Sequence, residues 1–212
     1  MRRSSFSEAL HGLTEMMAAK NLQLLEHGRR TALYALTLGH AVGVSTRDMI
    51  DLHYAALLHD IGQTRLPDEI LQKKGPLTYE EYALIQCHPR DGAKFVEAIP
   101  ALRGAAVLVA HHHEHWDGSG YPYGLRGAFI PLGSRILAVA DRFDALCSVK
   151  DGFGRDARLA MRRLRRLAGS QLDPALVGIF VQRMENERNR PSCCVEMSDG
   201  GFGAGVPLAP TG

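Results

Sequence analysis

Apolar residues recur at helical intervals along almost the whole chain, and no stretch alternates convincingly as a half-buried strand would. That pattern constrains the chain to an all-α fold. Leucine, methionine and alanine mark a helical face over residues 6–20 and again over 21–42. Ser45, with Asp48 three positions on, reads as the N-cap of a further helix running through DLHYAALLHD and stopping near Gly62. In the turn LPDEIL, Pro67 suits a first helical position. Thr78 and Glu81 have the spacing of a capping box. His88-Pro89 should end the helix they open, because a residue before proline avoids the helical region. Further helices are expected over 91–98, 101–113, 132–148 and 156–168, and a last one opening at Asp173-Pro174, with Asp as cap and Pro at the first position. The intervening segment EHWDGSGYPYGLRGAFIP is rich in Gly and Pro and must be a loop. Loops of that length in a compact domain are usually functional or disordered.

The 212 residues fit one domain, 21–188, with an N-terminal helix, 1–20, packing on it. From residue 189 the chain turns to Gly, Pro and Ser without periodicity, so 189–212 is expected to be a flexible tail. A net charge of +2 gives no argument for DNA or a membrane as partner. No apolar run approaches the roughly 20 residues that span a bilayer, and the first twenty residues lack the continuous apolar core of a secretory leader. The four cysteines (Cys87, Cys147, Cys193 and Cys194) show neither C-x-x-C spacing nor the density of a disulfide framework, so a reducing, cytoplasmic location is expected.

Histidine stands out, with ten residues. His27, His59-Asp60, His88, His112-His113 and Asp141 are separated by 32, 29, 24 and 28 residues. Helix-and-return units of that size would bring the chain back repeatedly to one end of a bundle, where ligands from several helices can converge. Spacing permits that convergence without requiring it. Imidazole with carboxylate suits Fe, Mn, Ni, Co or Zn, and the lack of paired cysteines argues against a thiolate zinc site. His59 and Asp60, adjacent on a helix, point about 100° apart. One can hold a single metal while the other bridges two. His11, His40 and His53 read as ordinary core or surface residues.

At AALLHDIG, EILQKKGPLTYEEYALIQCHP, HHEHWDGSGYPYGLRG and IPLGSRILAVADRFDAL the chain closely resembles the HD-GYP family, a branch of the HD phosphohydrolase superfamily; the resemblance covers about residues 21–181. It implies a helical bundle of about seven to eight helices with a long GYP loop. It also implies hydrolysis of the bacterial second messenger cyclic di-GMP to pGpG or GMP. Carried over by position, His27, His59, Asp60, His88, His112, His113 and Asp141 match the family's metal ligands. Asp60 matches the bridging carboxylate and, with His59, the catalytic doublet. Two divalent metals are implied, Fe or Mn first and Ni, Co or Zn as alternatives. Some members hold a third metal through a glutamate one turn before the first histidine, where this chain has Gln23. The implied chemistry is two-metal hydrolysis, with a hydroxide shared between the metals attacking phosphorus. Gly120, Tyr121 and Pro122 would shape the nucleotide pocket and Arg126 would approach a phosphate. Asp144, one turn after Asp141, would orient a ligand or contact substrate.

Two departures qualify the resemblance. The family's H-D-I-G-K lysine is here Gln63, which removes a charge-assisted phosphate contact worth about 1.5–3 kcal/mol. The family's D-R-P-Y-R-like segment is replaced by VKDGFGRDARLAMRRLRR. Lys150 is the expected substitute cation there, with Arg155 or Arg158 as a second. Weak turnover, a different phosphate ester, or a signalling module that binds nucleotide or GGDEF-domain proteins therefore all stay open. The arginines at 158, 162, 163, 165 and 166 read as the solvated face of an amphipathic helix, with Leu159, Leu164 and Leu167 inward. Trp116 is either a base-stacking platform or an anchor for the long loop. Cys87 reads as a buried, inert thiol.

Overall fold

The structure, a computed structural model, describes residues 2–148 and 156–188. Lys150, Arg155 and the tail at 189–212 lie outside the described residues. Ten α-helical segments run in chain order: α1 (Arg2–Lys20), α2 (Leu22–Ala41), α3 (Thr46–Leu58), α4 (Asp68–Leu71), α5 (Tyr79–Ile85), α6 (His88–Glu97), α7 (Arg103–Ala110), α8 (Leu132–Ser148), α9 (Ala157–Leu167) and α10 (Pro174–Arg188). Eight of them have eight or more residues. Short 3-10 turns lie at Ile61–Arg65, Pro100–Leu102 and Gly127–Phe129. No strand occurs among the described residues, only one isolated bridge between Ala168 and Leu172.

The caps explain most boundaries. Asn21 breaks the backbone between α1 and α2, and its side chain accepts from the Gln23 amide at 2.9 Å. Ser45 caps α3 through the Asp48 amide, and Thr78 with Glu81 forms the complete capping box of α5. Asp173 accepts from the Ala175 amide at 2.9 Å, opening α10. Two boundaries differ from the sequence reading. α3 ends at Leu58, before Gly62, and the chain tightens into the 3-10 turn that follows Asp60. A Cβ on Gly62 would lie 2.0 Å from the His88 carbonyl oxygen, so a glycine is needed where this turn crosses the start of α6. His88-Pro89 does not end a helix; it begins one. α5 stops at Ile85, and Pro89 occupies the first turn of α6, where a missing N–H costs nothing.

α2 runs through the centre, against α1, α3, α8 and α10. Ala32, Ala35 and Leu38 of α2 meet Leu52, Ala55 and Ala56 of α3, with Ile136, Leu137, Val139 and Ala140 of α8 completing the core. At one side Tyr34, Phe143 and Phe180 meet edge to face, with ring centroids 4.9 and 5.0 Å apart. Gly28 lets α2 lie close against the end of α3, because a Cβ there would lie 2.3 Å from the Leu57 oxygen. This contact, one residue from His27 and two from His59, brings the two histidines together. α1 lies over this assembly, with Met17 buried and Lys20 donating to the Leu66 carbonyl at 2.7 Å. In α9 the inward residues are Ala160, Met161 and Leu164. Leu159 and Leu167 are only partly covered, while Arg158, Arg162, Arg165 and Arg166 face solvent. Cys87, in the turn between α5 and α6, is exposed rather than buried.

Candidate metal centre

The bundle brings His27, His59, Asp60, His88, His112, His113 and Asp141 to one place. His27 comes from α2, His59 and Asp60 from the end of α3, His88 from the start of α6, His112 and His113 from just past α7, and Asp141 from α8. Asp60 sits between two donor sets. Its Oδ1 lies 3.2 Å from His88 Nε2 and 4.0 Å from His112 Nε2. Its Oδ2 lies 3.4 Å from His59 Nε2 and 4.0 Å from His27 Nε2. Donor atoms of Asp60, His88, His112 and His113 fall within 4.8 Å of one another, and so do those of His27, His59 and Asp60. Asp141 joins the second set, its Oδ1 3.0 Å from His27 Nε2 and 3.7 Å from His59 Nε2.

The local backbone fixes the rings. His59, His88 and His112 each direct Nδ1 at the carbonyl three residues earlier, on Ala56, Ile85 and Val109, at 2.9, 2.7 and 2.7 Å. A carbonyl only accepts, so Nδ1 must carry a proton, and whenever the ring is neutral Nε2 presents its lone pair inward. His88 Nε2 and His112 Nε2 then face each other at 3.3 Å as two acceptors. A divalent cation held by both rings would relieve that opposition. His59 Nε2 is buried without a hydrogen-bond partner among the described residues. Imidazole lone pairs around a shared carboxylate form a donor set that fits a pair of divalent transition metals.

Electrostatics divide the cluster in two. Burial opposes charge on His27, but hydrogen bonds to Asp141 and Asp144 outweigh it and raise the ring to about 9. His59 is raised in the same way: burial works against the charge, and Asp60 and Asp141 overcome it. Burial alone would raise Asp60 and Asp141, yet the neighbouring histidines hold both carboxylates well below the usual range. On the other side, burial and neighbouring imidazoles push His112 far down and His113 to about 4.

Asp144 is 1% exposed, and both its oxygens are engaged. Oδ2 accepts from His27 Nδ1 at 2.7 Å, while Arg30 grips both oxygens at 2.8 and 2.9 Å. Of the two contacts expected for Asp144, the one present is to His27. The sequence offered no hint of Arg30, 114 residues away.

The long loop closes over the His113 side. Glu114, 2% exposed, accepts from the Tyr123 and Leu125 amides, one with each oxygen, at 2.8 Å. Gly120 lies against the loop's own start, where a Cβ would be 2.2 Å from the His115 nitrogen. The Tyr121 amide donates to the His113 carbonyl at 3.1 Å, and the peptide to Pro122 is cis. These contacts set the Tyr121 ring 4.9 Å from that of His113. Burial pushes the Tyr121 hydroxyl upward, so it remains a neutral donor. Trp116 is an anchor: its amide donates to Gln171, its carbonyl accepts from Gly127, and the Arg135 guanidinium stands 5.7 Å from its ring. Arg126 lies across the loop from Gly118 and is exposed, with no contact to the ligand cluster recorded among the described residues. Sequence reasoning missed Glu114 as the loop's fastening. Its only signal was an acid at the head of a Gly-rich segment.

A helical bundle that gathers histidines and aspartates around one shared carboxylate is the metal-binding HD type. The chain belongs to the HD domain family, whose model matches residues 12–176. It is 34% identical over 188 residues to 3'3'-cGAMP-specific phosphodiesterase 2 of Vibrio cholerae, covering 86% of this chain and 36% of that protein. It is 33% identical over 183 residues to a cyclic di-GMP phosphodiesterase of Thermotoga maritima, covering 85% of this chain and 50% of that one. The chain thus spans at most about half the length of these relatives. Among solved structures, a V. cholerae cyclic GMP-AMP-specific phosphodiesterase superposes with a TM-score of 0.64 at 23% identity, over 85% of this chain and 48% of that one. The HD domain of the Listeria monocytogenes phosphodiesterase PgpH, in complex with cyclic-di-AMP, gives 0.63 at 16% identity, over 87% and 100%. At those identities the likeness is one of fold.

Proposed function

We propose that this chain is a metal-dependent phosphodiesterase domain that opens the ring of a cyclic dinucleotide, with cyclic di-GMP the first candidate and 3'3'-cGAMP the second. The observation that carries the reading is Asp60, whose two oxygens face two separate sets of histidines. One set, His27, His59 and Asp141, and the other, His88, His112 and His113, would each hold one divalent ion, Fe or Mn first. Bound there, the metals supply Lewis-acid activation of water and of the phosphoryl oxygens. The chain's own residues supply the rest. Carbonyls on Ala56, Ile85 and Val109 hold three rings in the ligating tautomer. Asp144 and Arg30 hold His27. Tyr121 walls the pocket and keeps its hydroxyl proton for donation to a phosphate or a base edge.

The relatives' names, cyclic di-GMP and 3'3'-cGAMP phosphodiesterases, support the substrate class. The functional unit would span 21–188 with α1 laid upon it. No helix among the described residues is long and apolar enough to cross a membrane, and a nucleotide second messenger as substrate favours a cytoplasmic site of action. A second reading rests on Gln63, a neutral side chain three residues past Asp60: a nucleotide-binding signalling module with slow turnover, docking GGDEF-domain proteins through its GYP loop. The test is to load purified protein with Fe(II) or Mn(II), incubate it with each cyclic dinucleotide and separate the products by chromatography. Linear pGpG, GMP or the corresponding cGAMP products are expected. Tight binding without product favours the second reading, and neither binding nor product contradicts both.

A further inference from the structure

We infer that a groove between α6 and α7, outside the ligand cluster, binds a nucleoside monophosphate, gripping its phosphate with Arg90 and Arg103 and stacking its base on Tyr123. The groove is a cavity of about 300 Å³, at the small end of the range for ligand pockets. Arg90 and Lys94 are four residues apart on α6, and Arg103 and Val107 are four apart on α7, so each helix turns one stripe towards it. Ala93, Ala106 and Ala110 line it between the charges, and their short side chains leave it its depth. Tyr123 bounds it too, with its ring over that of His111, centroids 5.1 Å apart and planes inclined by 34°. His111 is fixed in turn, because its Nδ1 donates to the Val107 carbonyl at 2.7 Å.

The lining offers two kinds of chemistry. Three cations, Arg90, Lys94 and Arg103, stand against one carboxylate, Glu97. Lys94 already pairs with Asp91 at 2.9 Å, so the two guanidiniums take the phosphate. Each presents a planar fork of donors matched to phosphate oxygens. Tyr123 is 56% exposed, and an open aromatic ring beside an apolar lining suits a flat heterocycle. The space is that of a small ligand, one base with one phosphate. An acidic protein segment would satisfy the arginines but leave the ring without a counterpart. GMP is the member of the class that a cyclic di-GMP phosphodiesterase would release, and this choice of base rests on the reading above. The groove also shares chain with the pocket. His111 immediately precedes His112, and the Tyr123 amide is fastened to Glu114 in the loop that sets Tyr121 against His113. GMP held here would lie against the loop that walls the pocket.

The test titrates GMP, guanosine and inorganic phosphate calorimetrically into the metal-loaded protein and into Asp60→Ala, which lacks the carboxylate at the metal centre and so isolates the groove. GMP should bind both proteins, and guanosine and phosphate should each bind about tenfold more weakly or worse. Replacing Arg90 and Arg103 together by Ala should cut GMP affinity in the Asp60→Ala background about tenfold or more. Both arginines are exposed, so circular dichroism should not change. Tyr123→Ala, which keeps the amide bonded to Glu114, should weaken GMP and leave phosphate unaltered. GMP affinity that survives the loss of both arginines, or phosphate bound as tightly as GMP, would overturn the inference. So would hexaglutamate that displaces GMP, or a folded Asp60→Ala protein that binds no GMP. None of these results touches the phosphodiesterase reading. A protein that binds GMP in the groove but cleaves no cyclic dinucleotide keeps the inference and loses that reading.

Discussion

His27 Nδ1 and Asp144 Oδ2 stand 2.7 Å apart although 117 residues separate them in the chain. The bond orients His27, which unlike His59, His88 and His112 is held at Nδ1 by a carboxylate rather than a backbone carbonyl. Asp144 is fixed in turn by Arg30, so the first donor set depends on a side-chain relay.

Replacing Asp144 by Asn should therefore weaken metal binding by about 10–100-fold while the helices stay folded. Competition against a chelator, with circular dichroism as the control, measures it. Unchanged affinity would mean that His27 needs no support.

Gly28 tests how closely α2 must approach α3. In Gly28→Ala the new Cβ would meet the Leu57 oxygen at 2.3 Å, so the helices must part. Urea unfolding should show a loss of about 1–3 kcal/mol, with weaker metal binding because His27 moves away from His59. Gly12→Ala in α1, where nothing lies within 4 Å, should be neutral or stabilising by up to about 1 kcal/mol.

Glu114 fastens the loop with both oxygens. Glu114→Gln keeps one acceptor and turns an amide group against the other backbone N–H. A cost of about 1–3 kcal/mol is expected, with faster proteolysis within residues 117–128 and a larger fall in turnover than in metal content. A loop that stays protected would contradict this role.

The architecture was legible because helical periodicity and caps are local. Ser45, Thr78 with Glu81, and Asp173 all act within three residues of themselves, so sequence alone located them. The rule for residues before proline failed at His88 because the preceding helix had already ended at Ile85 and Pro89 fell into a new first turn. In α9 the inward stripe runs through Ala160, Met161 and Leu164 rather than Leu159, because the helix's rotation is set by its neighbours and not by its own sequence. At the site, spacing could indicate which histidines return to one end of the bundle but not which carbonyl orients each ring. The partnership of Arg30 with Asp144 and that of Arg135 with Asp173 join segments 114 and 38 residues apart, and no local pattern encodes them.

The metal-free protein should be most stable near pH 6.5. His113 titrates at about 4 in the fold against a usual 6.5, so the unfolded chain takes up protons first and stability falls as pH drops from 6.5 towards 4. His27 is raised to about 9, so its contribution is complete below 6.5 and is lost as pH rises through 9. Melting temperature against pH should show both limbs. Metal should flatten the alkaline one by taking the place of the His27 proton. A profile unaffected by metal would contradict the assignment of His27.

The shared carboxylate of Asp60 is the centre of the account, and metal content measured alongside phosphodiesterase rate tests it most directly. The unaltered chain should carry two divalent ions and cleave a cyclic dinucleotide; Asp60→Ala should lose the metal and the activity together while remaining helical. An Asp60→Ala protein that kept both ions, or that lost them and still cleaved at the original rate, would contradict the account.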